Sequence, residues 1–502
     1  LTRYGLRVAP FKAQNMALNS FVTPDGGEMG RAQALQAAAC GLEADVRMNP
    51  VLLKPASHTG SQVIVLGEPV GQMHIDEYLR YKPEAWKIVR RAYRSLSMGM
   101  DAIILEGAGS PAEINLRQYD IVNMRMARYA RAKVLLVADI DRGGAFAALV
   151  GTMSLLTRAD RARVAGFLLN KFRGEASLLQ TALEFVTRRT GKPFLGVIPM
   201  LEDLCLPEED SVNFKAGLTP GLRQGRMEGD AISLDIVVPD LPHISNATDL
   251  DALRAEPGVR VRVIRRVTQW GTPDIVIVPG SRNTVEDLRW LRRTGIAESL
   301  VNFAKECLEK PYGMLVGICG GLQMLGCHID DPLHLEAGGN EPALGLLPLH
   351  TDLKAAKRLC RTEGVADTAL TATPTPLHVF GYEIHHGSTF PTDTCSVAFP
   401  QMPLRPLLQD TCGRSLGWGI CDKLGRPRIW GTYLHGLFDA DPFRHALLSC
   451  ARREARLPDI SGVPYNLGPE LDRLADLVEQ SLNMPDVFAL LNREYPGNPH
   501  LP

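Results

Sequence analysis

A cysteine lies between an apolar run and two glycines in the segment Val316-Gly317-Ile318-Cys319-Gly320-Gly321-Leu322-Gln323-Met324-Leu325-Gly326. The apolar run Met314 to Ile318 is typical of a buried strand, and the apolar residues after the two glycines predict a helix. A cysteine at the sharp turn between them matches a nucleophile elbow, where glycines permit a tight bend and close approach of a substrate. A small buried cysteine at an ordinary βα turn is the alternative.

A histidine far along the chain completes this pattern. His435 follows the predicted strand Ile429 to Leu434. A cysteine with a histidine base is the minimum for acyl transfer through a thioester, so we expect Cys319 and His435 to meet at one sheet edge. The backbone at Gly280, after a neighbouring strand, and at Gly320 is a candidate for holding an oxyanion. For Gly280 a plain βα turn is the alternative.

Predicted strands alternate with helices along most of the chain, and this pattern indicates parallel, doubly wound α/β sheets in two domains. A helix is predicted from Glu28 to Cys40, and another from Ile75 to Leu96. In the N-terminal half we predict strands at Val8 to Phe11, Val63 to Leu66, Asp101 to Leu105, Val134 to Ala138, Val164 to Leu169 and Phe194 to Ile198. In the second half we predict strands at Ser233 to Val238, Val259 to Ile264, Asp274 to Val278 and Met314 to Ile318.

Polar residues follow the ends of the N-terminal strands, where ligands of such sheets bind. Glu106 is suited to holding Mg²⁺ beside a nucleotide phosphate, and Asp139 and Asp141 are further candidates. Lys12 suits an anion, and Asn170 suits a nucleotide base. Each of these residues also has a purely structural interpretation, as a helix cap or a loop residue.

Composition limits the class of protein. The chain has 502 residues, which is long enough for two to four domains, and Lys+Arg 55 against Asp+Glu 56 gives a net charge of -1. This balance gives no support for nucleic acid or a membrane as a partner, and no apolar run reaches the roughly 18 residues of a membrane span. The ten scattered cysteines, without a C-x-x-C pair, predict reduced thiols, no zinc site and a cytoplasmic protein.

The division we expect is a first α/β domain at 1–225, a second α/β domain at 231–450 and a C-terminal extension at 451–502. The Gly- and Pro-containing segment 215–230 is the expected linker.

Several motifs together resemble the cobyric acid synthase family over nearly the whole chain. They are Val8-Ala9-Pro10-Phe11-Lys12-Ala13-Gln14-Asn15-Met16, Pro24-Asp25-Gly26-Gly27-Glu28-Met29-Gly30-Arg31-Ala32-Gln33, Leu53-Lys54-Pro55, Asp139-Ile140-Asp141-Arg142-Gly143-Gly144, Leu241-Pro242-His243-Ile244-Ser245-Asn246 and Gly381-Tyr382-Glu383-Ile384-His385.

The resemblance implies a function for each half. The N-terminal domain would be a P-loop fold similar to dethiobiotin synthetase that uses ATP and Mg²⁺, with Glu106 on the metal, Asn170 on adenine and Lys12 as a further cofactor contact. The C-terminal domain would resemble class I glutamine amidotransferases, with Cys319 as nucleophile and His435 as base. L-glutamine and adenosylcobyrinic acid a,c-diamide would be the substrates, and carboxylates b, d, e and g would become amides to give adenosylcobyric acid. The oligomeric state stays open.

Two departures from the family pattern leave alternatives. The glycine-rich Walker A run ending in Gly-Lys-Ser/Thr is expected before Leu1 and is not in the sequence. Leu437 stands two residues after His435, where many class I amidotransferases carry Glu. The cobyric acid synthases as a rule lack this acid, so Leu437 fits them, and His435 would need another orienting group or none. The alternatives are a cobyrinic acid a,c-diamide synthase, a glutaminase-only protein lacking ATP activity, and a P-loop partitioning ATPase, against which the amidotransferase half argues.

Overall fold

The computed structural model describes residues 1–55, 60–201, 204–207, 209, 233–393 and 398–497. The expected linker 215–230, and with it the predicted boundary between 225 and 231, lies outside these ranges. The strands of the N-terminal half are β1 Val8–Phe11, β2 Asn15–Met16, β3 Ser20–Val22, β4 Glu28–Gly30, β5 Val51–Pro55, β6 Gly60–Val65, β7 Glu68–His74, β8 Ala102–Leu105, β9 Val134–Asp139, β10 Val164–Phe172 and β11 Phe194–Pro199.

The strands of the C-terminal half are β12 Leu234–Pro239, β13 Val259–Ile264, β14 Ile275–Val278, β15 Met314–Ile318, β16 His328–Asp331, β17 Gly339–Pro342, β18 Leu349–Ala366, β19 Leu377–Pro391, β20 Leu404–Asp410, β21 Ser415–Cys421 and β22 Pro427–Thr432.

The α-helices are α1 Arg31–Ala39, α2 Ile75–Ser97, α3 Met124–Ala130, α4 Ala145–Leu155, α5 Arg158–Arg163, α6 Gln180–Thr190, α7 Asp251–Arg254, α8 Thr284–Arg293, α9 Ile296–Glu309, α10 Gly320–Leu325, α11 Thr368–Thr371, α12 Asp441–Glu454, α13 Gly468–Ser481 and α14 Met484–Leu490. Short 3₁₀ helices cover Thr2–Tyr4, Val46–Met48, Arg117–Tyr119, Ala176–Leu179, Ala247–Leu250, Val267–Gln269 and Leu437–Asp439.

Parallel strands form the core sheets of both halves, and the predicted α/β class is confirmed. In the N-terminal half, β1 pairs with β8, and β9, β10 and β11 form a second parallel sheet. Residues of β8 and β9, among them Leu105 and Val137, line a cleft of about 300 Å³ between the two sheets. Val137 is 58% exposed, although it is an apolar strand residue.

One continuous sheet carries the C-terminal half. Its parallel part has the order β13-β12-β14-β15-β22 and is extended by mainly antiparallel strands through β21, β20 and β18. Strands β12, β14 and β15 are buried along their whole length, which explains their continuous apolar runs. Because the parallel strands share one direction, the residues after β14, β15 and β22 lie at the same edge of the sheet.

The predicted helix from Glu28 to Cys40 is wrong at its start. Glu28–Gly30 is strand β4, which pairs antiparallel with Ser20–Val22, and the helix begins at Arg31. The backbone of Gly30 is extended, with φ -64° and ψ 136°. The side chain of Glu28 is fully buried in ion pairs, and these long-range contacts override the local helical pattern.

The β3–β4 hairpin joins the two halves. The backbone N–H of Ser20 donates to Asn246 Oδ1 at 3.0 Å, and Arg361 Nε donates to the carbonyl of Val22 at 3.1 Å. Val22 also packs in a small apolar cluster with Tyr382 and Ile384. The halves therefore share a buried interface.

The C-terminal extension returns to the N-terminal half. The backbone N–H of Asn483 donates to the carbonyl of Leu195 at 2.7 Å, and Arg3 forms ion pairs with Asp472 and Asp476 on α13. The ring of Phe488 packs edge-on against Tyr4, with 5.2 Å between the ring centroids.

The structure also bears on two expectations from composition, the state of the cysteines and the lack of a membrane span. Cys327 is disulfide-bonded, so the expectation that all cysteines are reduced is wrong. Within the ranges that the structure describes, no helix is both long and apolar enough to cross a lipid bilayer.

Candidate active site

Cys319 occupies the turn between β15 and α10 in a strained backbone conformation, with φ 52° and ψ -106°. The positive φ is uncommon for a residue with a side chain. Glycines make room for the turn: a methyl group added to Gly321 would lie 2.0 Å from the carbonyl oxygen of Val278. The backbone N–H of Cys319 donates to the carbonyl of Thr432 at 2.7 Å, which ties the elbow to β22. The strand, turn and helix predicted from sequence are all present.

The structure brings Cys319 and His435 together at Gly280. A methyl group added to Gly280 would lie 3.1 Å from His435 Cε1 and 3.9 Å from Cys319 Cβ, so both side chains pack against this glycine. The three residues line one cavity, and both side chains are largely buried. A methyl group on Gly320 would lie 3.0 Å from the backbone nitrogen of Ser281. The backbones at the two turns are therefore adjacent.

Asp249 holds His435 and was missed by the sequence analysis. Its Oδ2 lies 2.7 Å from His435 Nδ1, and its Oδ1 accepts from the backbone N–H of Gly436 at 2.8 Å. The ring of Tyr382 stacks on the imidazole, with 5.3 Å between centroids. Leu437 is buried in the core cluster, and the carboxylate comes instead from the short 3₁₀ helix Ala247–Leu250 that follows β12.

The charges around His435 favour its protonated form. Burial alone lowers the pKa of its imidazole, but the carboxylate of Asp249 and the thiolate of Cys319 outweigh burial and raise the pKa to about 10. An imidazolium beside a cysteine stabilises the thiolate, which is the nucleophilic form. Cys319, His435 and Asp249 therefore have the relative placement of a nucleophile, a base and a group that orients the base.

Polar side chains surround the thiol. Gln323 on α10 donates through Nε2 to the hydroxyl of Tyr433 at 3.0 Å and accepts from Thr284 Oγ1 at 3.1 Å. Glu336 accepts from the backbone N–H of Thr284 at 2.5 Å, and burial raises the pKa of its carboxyl to about 7. Arg282 lines the same cavity, and its buried Nε has no hydrogen-bond partner among the described residues. The acidic Glu336 and the basic Arg282 thus face the same cavity.

A second polar cluster lies at the carboxyl ends of β1 and β8. Lys12 Nζ lies 2.9 Å from Glu106 Oε1 and 2.6 Å from Glu209 Oε1, and its side chain is 5% exposed. Gln36 Nε2 donates to Glu106 Oε2 at 2.8 Å. Glu106 also borders the cleft between β8 and β9. Two residues singled out from sequence, Lys12 and Glu106, are therefore direct partners.

Asn170 lies apart from that cluster, on β10. Its strand partner in register is Asp139, and its side chain accepts from the backbone N–H of Lys171 at 2.9 Å. Lys171 Nζ reaches Asp139 Oδ2 at 3.0 Å, while Asp141 pairs with Arg173 at 3.2 Å. Asn170 and the two aspartates thus form a group at the carboxyl ends of β9 and β10.

Comparison with known proteins matches both halves. Residues 1–213 match the CobQ/CobB/MinD/ParA nucleotide binding domain, and residues 235–443 match the CobB/CobQ-like glutamine amidotransferase domain. The cobyric acid synthase of Nitratidesulfovibrio vulgaris is 51% identical, covering 98% of this chain and 93% of that protein.

Two further relatives agree. The cobyric acid synthase of Moorella thermoacetica is 46% identical over 98% of this chain and 93% of its own length. The adenosylcobalamin biosynthesis bifunctional protein CobDQ of Leptospira interrogans is 46% identical over 98% of this chain and 54% of that protein. With a nucleotide-binding half, an amidotransferase half and identities of this size over its length, the chain belongs to the cobyric acid synthase family.

Proposed function

We propose that this protein catalyses the ATP- and glutamine-dependent amidation of corrinoid carboxylates in cobalamin biosynthesis. The observation that carries the proposal is the buried group of Cys319, His435 and Asp249 in a chain whose other half is a nucleotide-binding domain. The two chemistries suit one protein. A carboxylate is a poor acyl donor and needs a better leaving group, and ammonia made in a shielded site escapes protonation by bulk water.

In the amidotransferase half, the Cys319 thiolate attacks the side-chain amide carbon of glutamine. The S–C bond forms, the C–N bond breaks, and His435 gives its proton to the nitrogen, which leaves as ammonia. Water, deprotonated by His435, then hydrolyses the thioester to glutamate. Backbone N–H groups at Gly280 and Gly320 would hold the oxyanion, since these turns flank the thiol on both sides.

The free amino-acid end of L-glutamine would bind at Glu336 and Arg282. An α-ammonium pairs with a carboxylate and an α-carboxylate with a guanidinium, and both partners face the cavity of Cys319. Among the described residues nothing binds the Nε of Arg282, which leaves this atom to a ligand. This arrangement distinguishes free glutamine from a glutamine residue within a polypeptide.

In the synthetase half, ATP would phosphorylate a substrate carboxylate at the Lys12–Glu106 cluster. The carboxylate oxygen attacks the γ-phosphorus and ADP leaves; ammonia then displaces phosphate from the acyl phosphate. Glu106 fits Mg²⁺, because its two oxygens already attract an ammonium and an amide donor, and the bound ion would neutralise phosphate charge. Lys12 would contact phosphate, and Asn170 would contact adenine at the neighbouring sheet.

The substrate we propose is adenosylcobyrinic acid a,c-diamide, with carboxylates b, d, e and g becoming amides. The relatives that match along nearly their whole length are cobyric acid synthases, and this supports the later corrinoid over the precursor of an a,c-diamide synthase. We assign the ATP-dependent amidation to residues 1–225 and the hydrolysis of glutamine to residues 231–450. We propose that the C-terminal extension, residues 451–502, stabilises the first half by packing against it.

The test combines glutamate formation with the mass of the corrinoid, for the wild type and Cys319→Ala, with ATP and Mg²⁺ present. We expect the wild type to form four amides from glutamine and Cys319→Ala to form them only from added ammonium. A contradictory result would be a wild type that hydrolyses glutamine while the corrinoid gains no mass in either protein, with glutamine or with ammonium. The protein would then be a glutaminase.

A further inference from the structure

A histidine and two aspartates form a separate cluster on β16 and β18, outside the residues that line the Cys319 cavity. His350 Nε2 lies 3.2 Å from Asp330 Oδ2 and 3.0 Å from Asp352 Oδ1. One nitrogen and two carboxylate oxygens therefore converge, and all three atoms lie within 4.8 Å of one another. The three side chains are partly buried, so the cluster is held in place and is still reachable by water and ions.

The pairing of the strands fixes these side chains on one face of the sheet. β16 and β18 are parallel, with Asp330 in register with Asp352 and His328 in register with His350. Residues two apart on a strand point to the same face, so the aspartates and histidines of both strands share it. The ring of His350 also packs on Phe390 of β19, with 5.2 Å between the centroids. Ligands carried by paired strands are held more precisely than ligands on loops.

The two carboxylates lack a sufficient counter-charge. Like charges directly opposite each other on neighbouring strands repel. Among the residues that the structure describes, no lysine or arginine forms an ion pair with Asp330 or Asp352, and His350 is their shared partner. Its Nε2 carries at most one proton, so it cannot donate fully to both carboxylates. Asp330 Oδ1 is also buried with no hydrogen-bond partner in the described part of the chain. A cation between the three groups would satisfy all of them.

The distances within the cluster fit a metal ion. Zinc binds imidazole nitrogen and carboxylate oxygen at about 2.0–2.2 Å, and ligands at tetrahedral or octahedral angles then lie about 3.0–3.5 Å apart. The separations of His350 Nε2 from the two carboxylate oxygens, 3.2 and 3.0 Å, fall in this range. An imidazole among the ligands favours Zn²⁺ and its neighbours in the transition series, whereas Mg²⁺ and Ca²⁺ prefer oxygen alone.

We propose that Asp330, His350 and Asp352 bind one divalent transition-metal ion of the zinc class, with water completing the coordination. The bound ion links β16 to β18 and neutralises the two carboxylates. The cysteine pattern predicts no zinc site, and this site contains no cysteine. Its ligands are distinct from Glu106, the candidate for Mg²⁺, and the inference does not depend on the proposed amidation.

The test measures the binding of Zn²⁺ to the full chain, after its metals have been removed with a chelator, by competition with a zinc-sensitive dye. His350→Phe keeps an aromatic ring against Phe390 and has no ligand nitrogen. Asp352→Asn keeps the shape of the side chain and removes its charge. His378→Phe is the matched control, because His378 of β19 pairs with a single carboxylate, that of Glu363 on β18 at 3.4 Å, and both side chains are mostly exposed.

We expect His350→Phe to weaken Zn²⁺ binding by about 100-fold or more, because losing a group that merely orients a metal ligand already costs about 10–100-fold. Asp352→Asn should weaken it by about tenfold or more, since a neutral amide oxygen is the poorer ligand. The wild type and His378→Phe should each bind one more Zn²⁺ per chain than His350→Phe. Zinc held by cysteine thiols cancels in this difference, because every variant keeps all the cysteines. Zn²⁺ should also raise the unfolding temperature of the wild type more than that of His350→Phe.

Equal Zn²⁺ affinity and stoichiometry in the wild type, His350→Phe and Asp352→Asn would overturn the site. A loss of binding in His378→Phe as large as in His350→Phe would do the same, because the effect would then not belong to this cluster. A preference for Mg²⁺ or Ca²⁺ over Zn²⁺ would contradict a histidine ligand. If His350→Phe does not fold, Asp352→Asn decides the question, since it changes only the charge of a partly exposed side chain.

Discussion

At the residue scale, Asp249 determines what His435 is able to do. Its carboxylate accepts a hydrogen bond from the Nδ1–H of His435. The Nε2 of the ring is then left to exchange a proton with the thiol or with the leaving nitrogen. No local sequence pattern marks this aspartate, because 186 residues separate it from the histidine. The usable signal was its position shortly after β12, at the edge where β14, β15 and β22 also end.

We predict that Asp249→Asn lowers kcat for glutamine hydrolysis by about 10²–10⁴-fold with little change in KM. The asparagine keeps the acceptor for the N–H of Gly436, but its amide placed against Nδ1 favours the wrong tautomer. The loss of charge should also lower the pKa of His435, which the pH dependence of Cys319 alkylation by iodoacetamide would report.

Two results delimit the role of Asp249. Amidation supported by added ammonium should be unaffected in the variant. Wild-type hydrolysis rates and an unshifted alkylation profile would show that the aspartate does not orient the base.

Glu336 gives a pH-dependent prediction. Its pKa is raised to about 7 by burial, and only the ionised form attracts the α-ammonium of glutamine. KM for glutamine should therefore increase as the pH falls below about 7, while Glu336→Gln should show a high KM, about tenfold or more above wild type, at every pH. Steady-state kinetics between pH 6 and 8, at about half-unit intervals, would measure this. A wild-type KM that is flat across this range would exclude Glu336 from glutamine binding.

At the element scale, the elbow was predictable because its requirements are local: an apolar strand, a nucleophile and glycines. The β3–β4 hairpin was not predictable, since the local pattern from Glu28 to Ala39 favours a helix. Long-range contacts hold the first three residues as a strand, among them the pairing with Ser20–Val22 and the ion pairs of Glu28 with Lys54 and Lys357. The same limit applies to the Cys319 cavity, because Lys54 on β5 and Lys357 on β18 reach it from strands distant in sequence.

Strain at the elbow is measurable. Cys319 has φ 52°, so we predict that Cys319→Gly unfolds at a higher temperature than Cys319→Ala, by the equivalent of about 1 kcal/mol. Gly151, inside α4, should show the opposite order, with Gly151→Ala more stable than the glycine by a similar amount. Calorimetry of the variants compares the two sites. If alanine is the more stable residue at both positions, the elbow stores no strain.

At the scale of the whole molecule, the two halves are joined by charge buried at their interface. Glu28→Gln would leave two buried lysines without their counter-ion, so we expect destabilisation of about 3 kcal/mol or more. The two lysines lower the pKa of Glu28 despite burial, so the stability that its carboxylate contributes should be lost only on acidification below the ordinary pKa of a glutamate. Near neutral pH the difference should also change with the charge of Lys54, whose pKa is lowered to about 7 by burial.

The exposed carboxylate of Glu84, paired with Lys87, provides the control, because solvent screens this pair and Glu84→Gln should leave the unfolding temperature nearly unchanged. Thermal unfolding of both variants across pH is the measurement. Equal, small effects would mean that the interface charge contributes nothing to the assembly of the halves.

An isotope experiment tests most directly whether the nitrogen of the new corrinoid amides comes from glutamine hydrolysed at Cys319. The wild type is supplied with ATP, Mg²⁺, the a,c-diamide corrinoid and glutamine labelled with nitrogen-15 at its amide, in the presence of excess unlabelled ammonium. We predict that every new corrinoid amide carries the label, whereas Cys319→Ala incorporates only unlabelled nitrogen. An unchanged wild-type corrinoid, or the same unlabelled product from both proteins, would contradict a ligase that feeds its synthetase site from Cys319.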